Sequence, residues 1–275
     1  MTIYLGTAGI PLGVKGEPTA SAFQFLSGLG LNAMEVEFVQ GVRMGSTLAE
    51  RVGIEAKKYG IRLSVHAPYF INLCSTEKDK LEASKRRILD SADRAERMGA
   101  DTIAIHMAYY GSASPEQCFC AVKQQLSEVR DSMRDMGISK VRLGAETMAK
   151  KTQFGSLDEV IRLSREIDVV VPYVDWAHLF ARNGGTIDYQ SALDELLDLK
   201  LNHLNCHFEG LKKRGGEYVD VHDTVGVNAP PFEPLAEQLI KRGVHATLIC
   251  ESPYLEHDAL KMKSSLEKLG YVFQS

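Results

Sequence analysis

The sequence predicts an α/β protein, a (β/α)8 or TIM barrel with a metal site at its C-terminal mouth. Three observations predict it. Short apolar runs alternate with amphipathic runs along all 275 residues, and no composition break marks a linker. Eight such units fill the roughly 250 residues that a closed barrel of this kind takes. Nearly every apolar run ends in a metal-competent side chain: His66, His106, Glu146, Asp175, His207 and Glu251. A single domain over residues 1–275 is expected. A doubly wound open sheet is the alternative, but it binds at one crevice and has no need of ligands from nearly every strand. In a barrel all the C-terminal strand ends meet at one mouth, which turns scattered residues into one site.

The elements follow in order. Ile3–Leu5 reads as the first strand and Thr19–Leu29 as the first helix. Ala33–Phe38 is a strand, Thr47–Tyr59 a helix and Ile61–Val65 the third strand. A long helix over about Glu77–Met98 carries Leu81, Ile88, Leu89, Ala92 and Ala95 on one face, and Gly99 stops it. Asp101–Ile105 is strand four. Ser114-Pro115-Glu116 supplies the cap and first turn of a helix to Met136. Val141–Ala145 is strand five, followed by a helix over Ser156–Ile167 with Ser156 as cap. Val169–Val174, His203–Cys206 and Ala246–Cys250 are the last three strands. Helices are expected at Asp188–Leu199, Pro231–Arg242 and about Glu256–Leu269. Residues 208–229 read as a long polar loop.

Composition bounds the function. A hydrophobic fraction of 44% suffices for a large core, and a net charge of −4 implies no whole-surface attraction to nucleic acid. The five cysteines form no paired framework, and the C-x-C at Cys118 and Cys120 is poor zinc-finger spacing. Reduced, mostly buried cysteines and a cytoplasmic location are expected. The N-terminal stretch has no basic, apolar leader pattern, and no run of about 20 apolar residues suggests a membrane span.

The strand-end residues define the chemistry. An unpaired carboxylate buried at a strand end costs several kcal/mol, so Glu146 must be paired, metal-bound or turned to a cleft. Asp175 and His178 are three apart, suited to a tight turn or a first helical turn. Asp220 and His222 alternate as D-x-H, so an extended segment puts both on one face. The expected ligand set is therefore His66, His106, Glu146, Asp175, His178, His207, Asp220, His222 and Glu251. Imidazole and carboxylate together suit Zn²⁺, Mn²⁺ or Fe²⁺. One Zn²⁺ takes roughly four to five ligands, so this set suits two or three ions with Glu146 bridging. Clustered ions about 3.5–4 Å apart serve phosphodiester hydrolysis. Glu146 and Glu251 are the candidate catalytic carboxylates. His203, His245 and His257 fall outside the pattern and receive no role.

His66 through Leu73 (H-A-P-Y-F-I-N-L), the D-x-x-H at Asp175–His178, and the spacings from His207 to Asp220 and His222 resemble the endonuclease IV family of apurinic/apyrimidinic endonucleases, within the xylose-isomerase-like barrels. The resemblance covers most of the chain. It implies that His66, His106 and Glu146 hold one ion. A second would lie on Glu146, Asp175, His207 and Glu251, and a third on His178, Asp220 and His222. It further implies zinc chemistry that hydrolyses the phosphodiester 5′ to an abasic site in duplex DNA and leaves a 3′-hydroxyl. Tyr69 and Phe70 match an aromatic-apolar pair that enters DNA beside the lesion, and Arg43 matches a DNA-contacting arginine. Asn72 is expected to order its loop.

The chain also departs from that family. Met107-Ala108-Tyr109 stands where Pro-Gly follows the second histidine, and Phe208-Glu209-Gly210 where Leu-Asn-Asp follows His207. Glu35 and Glu37 occupy a strand expected to be apolar, where they could pair with Arg43, add a metal ligand or mark a sugar-processing relative. Lys150, Lys151, Arg182, Lys212, Lys213 and Arg214 are the cations placed for phosphate contact, with Arg182, Lys212 and Lys213 the candidate DNA contacts. The expected partner is damaged duplex DNA, with no membrane, no nucleotide cofactor and a monomeric chain. A sugar isomerase or epimerase is the alternative, needing only one or two ions and a base. A third reading is a barrel that keeps its ions without turnover.

Overall fold

The eight apolar runs pair into one closed parallel barrel in a computed structural model that describes residues 1–227 and 229–273. The barrel strands are β1 (Ile3–Ala8), β2 (Ala33–Glu37), β3 (Arg62–His66), β4 (Thr102–Ile105), β5 (Arg142–Glu146), β6 (Val170–Asp175) and β7 (Leu204–Phe208). The circle is completed by β10 (Ala246–Cys250), which pairs with both β7 and β1. Parallel strands wrapped by helices are buried on both faces, so they read as continuous apolar runs. The surrounding helices are α1 (Thr19–Gly28), α2 (Ser46–Lys58), α3 (Lys78–Met98), α4 (Pro115–Asp135), α5 (Leu157–Glu166), α6 (Trp176–Arg182), α7 (Tyr189–Leu197), α8 (Glu233–Arg242) and α9 (Glu256–Lys268).

Local chemistry explains the helix ends. Ser114 and Ser156 each form a reciprocal capping box, with Gln117 and Glu159 respectively. Gly99 closes α3 in the left-handed conformation at φ 73°. All five cysteines are free, and among the described residues no helix is long and apolar enough to cross a membrane.

Three features differ from the sequence expectation. The stretch 208–229 is not one loop: it contains an antiparallel hairpin, β8 (Gly210–Arg214) and β9 (Glu217–Asp223). Gly215 and Gly216 make its turn with positive φ, and the alternation of its strands is masked in sequence by their charged residues. The turn expected at Asp175–His178 extends into the whole of α6, whose seven residues are too few to show a period. A short 3-10 turn at Leu12–Val14 likewise has no sequence signature. Asn228, inside the expected loop, and Gln274 and Ser275 lie outside the described residues.

The barrel interior beneath the mouth is polar. Glu35 accepts hydrogen bonds from Ser64 Oγ at 2.8 Å and Tyr173 Oη at 2.7 Å, and Asn205 Nδ2 donates to Thr102 Oγ1 at 3.1 Å. Closure depends on close backbone approach at Gly6, where an added Cβ would stand 1.8 Å from the Ala33 carbonyl oxygen. Gly6→Ala should therefore separate β1 from β2 and cost about 1–3 kcal/mol, as overpacking of a tight core does. Urea denaturation of the variant would read the loss; an unchanged midpoint would mean that the barrel adjusts freely at this seam.

Candidate metal centre

All the candidate ligands but His178, which lies on α6, reach the mouth on or directly after a strand. His66 ends β3, Glu146 ends β5 and Asp175 ends β6, while His106 and Glu251 directly follow β4 and β10. His207 lies within β7, and Asp220 and His222 lie on β9. Asp175 also caps α6, accepting from the His178 backbone N–H at 2.7 Å, which turns the His178 ring back over the mouth.

The ligand atoms converge in three groups. His66, His106 and Glu146 form one; Glu146, Asp175, His207 and Glu251 a second; His178, Glu209 and His222 a third. Within each group they lie within 4.8 Å of one another. His66 Nε2 and His106 Nε2 stand 3.3 Å and 3.1 Å from Glu146 Oε2, yet that oxygen accepts no hydrogen bond. Atoms bound to a tetrahedral ion at about 2.0–2.1 Å stand about 3.3 Å apart, so the spacing is that of ligands around a common point. Asp220 Oδ1 is 3.4 Å from His178 Nε2 and 3.6 Å from His222 Nε2, beside the third group.

Hydrogen bonds orient the imidazoles. Carbonyl oxygens can only accept, so Nδ1 of His66 donates to Ala67 O (2.7 Å), Nδ1 of His178 to Thr147 O (3.0 Å) and Nδ1 of His222 to Glu251 O (2.9 Å). Each bond fixes Nδ1 as the donor and aims Nε2 at the site. His207 is turned the other way: Nε2 meets Glu35 Oε1 at 2.8 Å, and Nδ1 faces Glu146 Oε1 at 3.1 Å.

The electrostatics also fit cations. Glu35, Glu37, Glu146, Asp175, Glu209, Asp220 and Glu251 crowd the mouth. Buried atoms left without a hydrogen-bond partner include Glu146 Oε2, Asp175 Oδ2, His178 Nε2 and both oxygens of Glu209. Burial opposes charge on His66 and His222, but Glu146 on the first and Glu209 on the second outweigh it and hold both up near about 10. Burial, reinforced by Glu35, pushes Glu37 up to about 8. Unpaired buried acids cost several kcal/mol each, and divalent ions held by these residues would remove that cost.

The remaining sequence candidates divide. Tyr69 and Phe70 sit on the rim, 44% and 66% exposed, and the Tyr69 ring lies 5.1 Å from that of His66 and 5.3 Å from that of His106. Asn72 orders its loop, with Oδ1 accepting from the backbone of Cys74 and Tyr109. Lys150 lines a mouth cleft of about 220 Å³ with Tyr69, Tyr109 and His178. Arg182 instead spans the β5–α5 connection, donating to the carbonyls of Met148, Lys150 and Gln153. Lys212 and Lys213 are exposed on β8, and Lys213 lies over the Tyr218 ring. Arg43 lines another cavity, of about 720 Å³, with Lys15, Glu35 and Glu37, and Glu35 joins that cavity to His207. Sequence reasoning missed Glu209 as a ligand candidate, although its spacing of two from His207 was the available signal.

A (β/α)8 barrel with imidazoles and carboxylates clustered at its C-terminal mouth defines the class: a barrel whose mouth carries groups of residues that could hold metal ions. The chain belongs to the xylose isomerase-like TIM barrel family, whose model matches residues 23–270. It is 32% identical to an uncharacterized protein of Methanocaldococcus jannaschii, MJ0133, over 97% of this chain and 98% of that one. It is 26% identical to a probable endonuclease 4 of Thermoplasma acidophilum, over 62% of this chain and 60% of that protein's length. Among solved structures it is similar to a D-tagatose 3-epimerase-like protein (TM-score 0.75, 17% identity, 95% of this chain and 96% of that one). It is comparably similar to endonuclease IV from Thermus thermophilus (TM-score 0.73, 17% identity, 98% and 100%). At such identity the structural likeness is one of fold alone.

Glu35 fixes the orientation of His207, and outer partners of this kind typically change metal affinity by roughly 10–100-fold when lost. Glu35→Gln should weaken metal retention by that order in a chelator competition titration. Unchanged retention would mean that Tyr173 and the strand alone hold the ring.

Proposed function

We propose that the chain is a metal-dependent phosphodiesterase acting in the cytoplasm that incises duplex DNA on the 5′ side of abasic sites. The observation that carries the reading is the sharing of Glu146 between two ligand groups, with a third group adjoining them. Zinc is the ion best suited to the donor set, with manganese or iron accommodated in some positions. The probable endonuclease 4 relatives support the substrate class.

His66, His106 and Glu146 would hold one ion, and Glu146, Asp175, His207 and Glu251 a second. His178, Asp220 and His222 would hold a third. When bound, such a cluster supplies an acidified water and neutralises charge on the phosphate and the leaving oxygen. The chain's own residues do the rest. Glu146 and Glu251 keep their carboxylates at the reacting centre, set by the ends of β5 and β10. Tyr69 and Phe70 present apolar surface at the rim, where an unstacked step lacking its base costs least to enter. Lys150, Lys212 and Lys213 lie outside the ligand groups, free to meet backbone phosphates. Arg182 shapes the loop that carries Lys150, and Arg43 extends the polar surface beyond the mouth. A monomer would suffice, since every ligand comes from one chain.

A sugar epimerase is the second reading. The 720 Å³ cavity favours it, because Glu37 gives that cavity a carboxyl with an unpartnered oxygen, suited to a hydroxyl group. Such an enzyme would need the second ligand group but not the third.

Cleavage of a labelled duplex with one abasic-site analogue, before and after chelation, tests the proposal. Chelator-sensitive cutting on the 5′ side is expected, and no cutting by fully metal-loaded protein would sink it. Glu146→Ala should lose metal and at least about 100-fold in cutting, because it serves two ligand groups. Tyr69→Ala should keep its metal and bind the lesion on the order of 10-fold more weakly, given stacking of about 1–3 kcal/mol. Equal lesion affinity would return Tyr69 to a role in loop packing.

A further inference from the structure

Glu209 stands outside the ligand set that the family resemblance implies. Strand alternation puts it on the mouth side: His207 faces the site, Phe208 packs outward with its ring 4.9 Å from that of Phe232, and Glu209 turns inward again. It is 0% exposed, and neither carboxylate oxygen has a hydrogen-bond partner. His178 Nε2, equally buried, is also unpartnered. Ligand atoms of Glu209, His178 and His222 lie within 4.8 Å of one another. The Nδ1 atoms of both histidines are engaged by carbonyls, so both rings present Nε2.

We propose that Glu209 is a protein ligand of the third metal ion, joining His178, His222 and Asp220 in a four-residue site. A buried acid with both oxygens unpaired is retained only where a cation or proton meets it. His178 and His222 each spend Nδ1–H on a carbonyl and turn Nε2 toward the acid, and the three ligand atoms close to within 4.8 Å of one another, the arrangement of ligands around one cation. Two carboxylates, Glu209 and Asp220, neutralise one divalent ion, so this ion is held by the chain itself with no substrate phosphate needed. Four protein ligands are the number of a closed structural zinc site, whereas an open catalytic site keeps three. The third ion thereby becomes a fixed part of the mouth, clamping the β8–β9 hairpin, through His222 and Asp220, to the ends of β6 and β7.

The inference rests on the metal-centre reading but not on DNA as substrate. The test compares full-length wild type, Glu209→Gln and Glu209→Ala after equilibration with Zn²⁺ and gel filtration. Metal is counted by mass spectrometry, and melting is followed with and without metal. Wild type should retain three ions, and Glu209→Ala two. Glu209→Gln should release its weakest ion at least 10-fold more readily to a chelator. Without metal both variants should melt above wild type, because a buried acid with no hydrogen-bond partner is gone; with metal they should melt below it. A purely structural role for Glu209 would lower melting in both states. Three ions retained in Glu209→Ala, or fewer than three in wild type, would overturn the assignment. If wild type leaves DNA intact while Glu209→Ala still loses one ion, the ligand stands and the nuclease reading falls.

Discussion

Glu146 ends β5 with its carboxylate inside the barrel, 1% exposed, and with one oxygen that accepts no hydrogen bond. Around it the other acids of the mouth crowd together, and among the described residues none of them pairs with a lysine or arginine. Imidazoles are the counterpart on offer, and they can answer the carboxylates in two ways. As imidazoliums they would donate protons to them. As neutral rings they would share cations with them. Three of the rings spend Nδ1–H on backbone carbonyls and turn Nε2 inward, the orientation that the second role requires.

That constraint explains why the barrel beneath is not simply apolar. His207 cannot use a carbonyl in the manner of the other rings, because it lies within β7, where strand carbonyls are committed to the ladders with β6 and β10. Glu35 provides the acceptor instead, and Ser64 and Tyr173 in turn hold Glu35. One ligand orientation thus draws a polar layer into the barrel from β2, β3 and β6.

Much of this was legible in the sequence. Six of the eight barrel strands carry a candidate ligand at or beside the last residue, so the apolar runs located both the barrel and the candidates. Ser114 and Ser156 announced their helices because a capping box is a local signal. The hairpin was less legible, since the alternation of β8 and β9 belongs to a surface ribbon with charged residues on both strands. Glu35 was visible as an anomaly in a strand, but its partner is 172 residues away, a distance no local pattern spans. Glu209 was hidden by its setting between a strand and a polar stretch. Arg182 was placed for phosphate, yet the carbonyls of a neighbouring loop claim its guanidinium, a competition that only tertiary structure displays.

The three ligand groups differ in how rigidly they are held. The first two come from strands of the closed barrel, whose positions are set by ladders on both sides. The third combines α6 and the end of β7 with a two-stranded hairpin whose strand β9 is half-buried from Tyr218 to Asp223. Its histidine is tied to the barrel by a single bond to the carbonyl of Glu251, itself a member of the second group. Leu211 and Tyr218 also pack on Ala177 and Phe180, so the hairpin's seating rests on α6 and on the carbonyl of Glu251, while the first two groups need no hairpin. A small sugar would be served by the barrel alone. A mouth that adds a hairpin with exposed lysines beside further candidate ligands offers cations beyond the cleft, and it is on this asymmetry that the proposed phosphodiester substrate and the sugar alternative differ.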